Sequence, residues 1–86
     1  MVLCNRIPDK TEKISLSAGE ISFVDTKGRG CILKAGDKTV FVLAKTSGNT
    51  EDAFPVNAGE SLEICGSFGI FAKESTSCFC LYYTTL

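Results

Sequence analysis

No stretch of this chain sustains the 3.6-residue period of an amphipathic helix; what recurs is a short alternating run stopped by Gly, Asn or Asp. Glu12 to Ser17 alternates and ends at Ala18-Gly19. Glu20 to Val24 alternates again, until Asp25-Thr26-Lys27-Gly28 reads as a turn. Arg29 to Lys34 forms a third run, closed by Ala35-Gly36-Asp37. Thr39 to Ala44 is the most apolar segment and rich in β-formers, which predicts a central strand. A polar loop over Ser47 to Asp52 leads to Phe54-Pro55-Val56, whose proline cannot donate to a ladder and so belongs on an edge or in a crossing loop. Ser61 to Cys65, Gly69 to Lys73 and Ser77 to Thr84 complete the set. Seven to eight short strands at near-regular spacing predict an all-β fold, an antiparallel β-sandwich or small β-barrel. Residues 1–12, with Pro8 and mixed charge, are expected as an N-terminal arm, and 13–86 as one domain.

The side-chain inventory argues against catalysis. With no histidine among 86 residues, the usual neutral-pH base is missing. The carboxylates sit in turns or on polar strand faces; Glu60 and Glu63 are three apart, so on a strand they point to opposite sides. Glu51-Asp52 lacks the pattern of a calcium loop. Gly28-Arg29-Gly30 has neither the spacing of a phosphate loop nor a helix after it, and Gly66-Ser67-Phe68-Gly69 lacks the Gly-x-Ser-x-Gly of a nucleophile elbow. Cys4, Cys31, Cys65, Cys78 and Cys80 are odd in number and without a Cys-x-x-Cys pair, so they read as small buried hydrophobes in a reducing compartment. No enzyme activity, cofactor or metal is expected. Net charge is −1, so no overall positive field draws the chain to nucleic acid. Met1 to Lys13 has no apolar core segment of a secretory signal, and the charge-free run Ser75 to Leu86 is too short to cross a bilayer as a helix. The expectation is a chain made in the cytosol, with no membrane partner.

Two resemblances bear on function. Gly19 to Ile32 followed by Val40-Phe41-Val42 resembles the start of a cold-shock domain, whose barrel stacks single-stranded bases on aromatics of two neighbouring strands. Arg29 and Cys31 stand where that family has aromatics, and Leu43-Ala44 follows where it has a histidine and another ring. A single-stranded nucleic-acid binder is therefore an alternative only.

A longer series covers about residues 30 to 83. Val40-Phe41-Val42 leads through a polar loop to Phe54-Pro55-Val56, then Ala58-Gly59-Glu60-Ser61-Leu62-Glu63-Ile64, then Gly69-Ile70-Phe71-Ala72 and a last β run. This order resembles small β-sandwich structural proteins of tailed bacteriophages, head decoration or cement proteins and fibre-type modules. The cysteine-rich last run and the lack of an appended fibre depart from the pattern. The resemblance implies a non-enzymatic virion protein assembled in the host cytoplasm, a capsid decoration protein first, with a tail or fibre receptor-contact module as the alternative. Its implied partners are the major capsid protein or another virion protein, and a homo-oligomer is expected. Arg6, Ile7 and Pro8 in the arm, with Phe71, Tyr82 and Tyr83, are the expected partner contacts.

Overall fold

The structure, a computed structural model, describes residues 5–44 and 50–85. Six antiparallel strands form one sheet: β1 (Arg6–Leu16), β2 (Ser22–Ala35), β3 (Val40–Ala44), β4 (Phe54–Val56), β5 (Ser61–Phe71) and β6 (Thr76–Thr85). Their spatial order is β1-β6-β2-β5-β3-β4, with a single 3₁₀ turn at Thr50–Asp52. The all-β class is as expected, but there are six strands among the described residues, and two are far longer than the sequence pattern implies.

The count falls because two pairs of expected strands fuse. The segments around Phe23 and Ile32 are one strand, and those around Ile64 and Ile70 are another. Asp25-Thr26-Lys27-Gly28 does adopt turn-like geometry, with Lys27 at φ 53° and Gly28 at φ 81°, yet the chain does not reverse. Asp25 pairs with Ser67 and Gly30 with Cys65, so Thr26 to Arg29 bulge out of β2 opposite the single residue Gly66 of β5. Thr26 is fully buried at this point, and its Oγ1 accepts the N–H of Gly66 at 2.9 Å. Asp25 accepts the Lys27 N–H at 2.9 Å, and the Thr26 carbonyl accepts Arg29 Nε at 3.1 Å.

These facing irregularities let β2 and β5 serve both halves of the molecule. On one side of the bulge the strands run with β1 and β6; on the other they run with β3 and β4. The inward side chains of both halves meet in one core: Leu16, Cys31, Leu33, Ala35, Cys78, Cys80 and Tyr82 from the first, Val24, Val40, Val42, Val56, Phe68, Ile70 and Ala72 from the second. A single sheet thus covers its own apolar face, as a sandwich does with two. The resemblance to a cold-shock start does not carry over to topology, since that arrangement needs two neighbouring strands where this chain has one continuous β2.

Residues 6–12, expected as an arm, are instead the first half of β1 and pair with β6 from Arg6↔Thr85 onward. Their pattern hides this because residues 6–11 are exposed whichever face they point to, so no alternation is needed. Pro8 and a register shift at Asp9 are tolerated because β1 is an edge. Phe54–Val56 is the opposite edge, as its proline requires, and β3 lies one strand in from it rather than at the centre. Two Ala-Gly-Glu turns behave as expected: Gly19 and Gly59 both have φ 79°, and Glu20 and Glu60 donate back to Ser17 and Asn57 at 3.1 and 2.9 Å.

Replacing Thr26 with Val keeps the shape but removes the acceptor of the Gly66 N–H, which should cost about 0.5–1.5 kcal/mol. Thr26→Ser keeps the oxygen and should lose less; denaturant midpoints of the two variants check the order.

Candidate functional surfaces

Strand register sorts the side chains of the first half into rows. On the outer face, Lys13, Phe79, Lys34 and Ser61 lie opposite one another across β1, β6, β2 and β5. Thr11, Leu81, Ile32 and Glu63 form the next row, and Pro8, Tyr83, Gly30 and Cys65 the row after it. On the inner face the rows are Glu12, Cys80, Leu33 and Leu62, then Lys10, Tyr82, Cys31 and Ile64.

The expected contact residues divide between these environments. Arg6, Ile7 and Pro8 are exposed on β1. Tyr83 is buried: its ring rests on Gly30, where a Cβ would come within 2.2 Å of Cζ, and its hydroxyl donates to Glu63 at 2.7 Å. Arg6 completes that cluster, 3.0 Å from Glu63 and with its guanidinium 5.4 Å from the Tyr83 ring centroid. Tyr82 is buried on the inner face, donating to Glu12 at 2.9 Å beneath the Arg29 guanidinium, which also pairs with Asp9. Phe71 is buried as well, stacked on Phe41 with centroids 5.2 Å apart, while Lys73 lies over the Phe41 ring. These three aromatics are packed within the chain, so their rings do not form an exposed contact patch. Neighbouring strands, not alternation, decided which rings were covered.

Of the expected contacts Ile7 is a half-exposed apolar group, and the remaining large apolar groups that are exposed are others. Phe23 is 73% exposed and, with the half-exposed Ile21, leans over Gly69 beside Leu43. A Cβ on Gly69 would lie 3.3 to 3.6 Å from all three, so this glycine forms the floor of an outer-face patch. Phe54 on the β4 edge is 59% exposed and Phe79 on β6 is 44% exposed. The sequence signal for Phe23 was its place opposite inward Ser22 and Val24, a position that alternation leaves outside.

Three thiols, Cys31, Cys78 and Cys80, are buried in the core as expected, whereas Cys65 is exposed on the outer face; Cys4 lies outside the described residues. The Cys31 thiol is held protonated by its hydrogen bond to Cys80 and by burial, and burial pushes Cys78 up to about 12. Both tyrosine hydroxyls are also held protonated, Tyr82 by burial and then its bond to Glu12, Tyr83 by its bond to Glu63. Among the described residues no group of three or more His, Cys, Asp or Glu is placed to hold a metal ion, and no helix is long and apolar enough to cross a membrane. Comparison with protein families, curated proteins and solved structures finds no match.

Two outcomes follow from this burial. In a Cys4→Ser background, a thiol reagent at mildly alkaline pH should label Cys65 in the native protein, with the other three reacting only on unfolding. For the two tyrosines the folded state holds its protons past the ordinary value of about 10, whereas the unfolded chain releases them there. Above that pH the unfolded state therefore binds fewer protons, and stability falls as pH rises. Tyrosinate absorbance should stay low until the fold is lost and then appear for both rings in one cooperative step.

Proposed function

We propose that the chain is a non-enzymatic structural protein of a tailed-phage virion, a decoration or cement protein that binds the assembled head. The observation that carries the reading is the outer-face patch of Ile21 and Phe23 over Gly69. A phenylalanine three-quarters exposed on a sheet face has most of its ring uncovered by the chain and suits burial against a partner. The resemblance to phage β-sandwich proteins supports the choice of partner. Its residues fall in order on β3, β4, the turn at Ala58-Gly59 and β5, so the likeness follows the folded elements. An inventory without histidine, and with the buried Cys31 and Cys78 thiols held protonated, fits a role played by shape. The partners of this reading are the major capsid protein or another virion protein, and further copies of the chain.

Co-sedimentation with empty heads of the parent phage tests it. The chain should bind to saturation, with a fixed number of copies per capsomer, and Phe23→Ser should weaken binding roughly tenfold or more while leaving the melting curve nearly unchanged. No binding to heads at any stage of expansion rejects the reading.

A further inference from the structure

On the N-terminal side of its bulge, β2 has one neighbour instead of two. From Gly30 to Lys34 it pairs with β5 on one side and β6 on the other, whereas Ser22 to Asp25 pair with β5 alone. Among the described residues no strand takes the second side of 22–25. Alternate residues of this segment therefore turn their N–H and C=O groups toward an open edge. A cleft of about 320 Å³ separates that edge from Lys10, Glu12 and Ile14 of β1. Most charges around the cleft are already engaged. Lys10 stands 3.9 Å from Glu12, Glu12 accepts the Tyr82 hydroxyl at 2.9 Å, Arg29 pairs with Asp9, and Asp25 accepts the Lys27 N–H at 2.9 Å. The side chains of Glu20 and Lys27 differ: both are exposed, and neither has a partner among the described residues.

We infer that a second copy of this chain pairs with the 22–25 edge, antiparallel and about a two-fold axis at Phe23. That register sets Phe23 opposite Phe23, Ser22 opposite Val24, and Ile21 opposite Asp25, so each matched pair shares a face. Both Phe23 rings, each 73% exposed in the single chain, become cross-strand neighbours on the outer face. An axis at Val24 would instead set Phe23 against Asp25. Charge supports the pairing of copies. Glu20 lies three residues before Phe23 and Lys27 four after it, so the axis brings Glu20 of each copy beside Lys27 of the other. The remaining edges are poorer templates: β1 carries Pro8, the Asp9 irregularity, Lys10 and Lys13, and β4 is three residues long with Pro55 at its centre. Because both copies use the same surface, the contact closes as a dimer. It sets two Ile21–Phe23 patches side by side on one face, and it does not rest on the virion reading.

Sedimentation velocity tests it. The wild-type chain should dimerise with rising concentration, and less tightly at high salt. Glu20→Lys sets lysine beside lysine at both ends of the contact, and Lys27→Glu sets carboxylate beside carboxylate. Each variant alone should dimerise roughly tenfold or more weakly. Mixed, the two should form a heterodimer about as tight as the wild-type dimer, because both ends are then opposite in sign. Hydrogen exchange at residues 22–25 should slow as the wild-type dimer forms. Circular dichroism and melting curves establish that each variant folds; where one does not, the exchange measurement on the wild type decides. A wild-type chain that stays monomeric up to its solubility limit overturns the inference and leaves the edge to a strand of another protein. Dimers untouched by either substitution overturn it too, as does a mixture of folded variants that forms no dimer, or a dimer without added protection at 22–25. A monomer that decorates heads would overturn this inference alone, whereas a dimer that binds no heads would reject only the proposed function.

Discussion

The hydrogen bond from the Gly66 N–H to the buried Thr26 hydroxyl is the contact on which the architecture turns. At that point four residues of β2 stand against one of β5, and the Gly66 N–H would otherwise lack this acceptor. With the donor satisfied, both strands continue through the irregularity and belong to both halves of the sheet. Were either strand to end there, the inward side chains of the two halves would no longer be carried into one core by shared strands. A chain of 86 residues has little area to spare for two separate cores. Sharing two long strands closes one core with a single sheet.

Much of the fold was legible because its causes are local. The Ala-Gly-Glu turns at 18–20 and 58–60 carry a glycine where φ is positive, and the edge position of Pro55 follows from its missing donor. Leu62 and Ile64 face inward and Cys65 outward, as alternation requires. The departures have non-local causes. Asp25 to Gly28 has real turn chemistry, but whether such a segment reverses the chain or bulges depends on what faces it, and Gly66 is forty residues away from Thr26. Residues 6–12 show no alternation, yet they pair because β6 would otherwise present an open edge.

The surfaces divided in the same way. Phe71 and Phe79 are both aromatic residues of late strands, and sequence alone does not separate them. Phe41 stacks on the first and covers it; no ring covers the second, whose cross-strand neighbours are Lys13 and Lys34. Tyr82 and Tyr83 are adjacent and point to opposite faces, and each is drawn down by a carboxylate from another strand. The large apolar groups left exposed include Ile21 and Phe23 on one side, Phe79 on another and Phe54 at the rim. Exposure here records a partner missing from within the chain.

The seat that Gly30 gives to the Tyr83 ring has an evolutionary consequence. Position 30 has no space for even a methyl group while an aromatic ring stands at 83, and loss of that ring would strand the carboxylate of Glu63 beside Arg6. Drift at these sites is thereby coupled. Across descendants of this chain, a side chain at 30 should arrive together with a smaller residue at 83, and the pair should change as a unit.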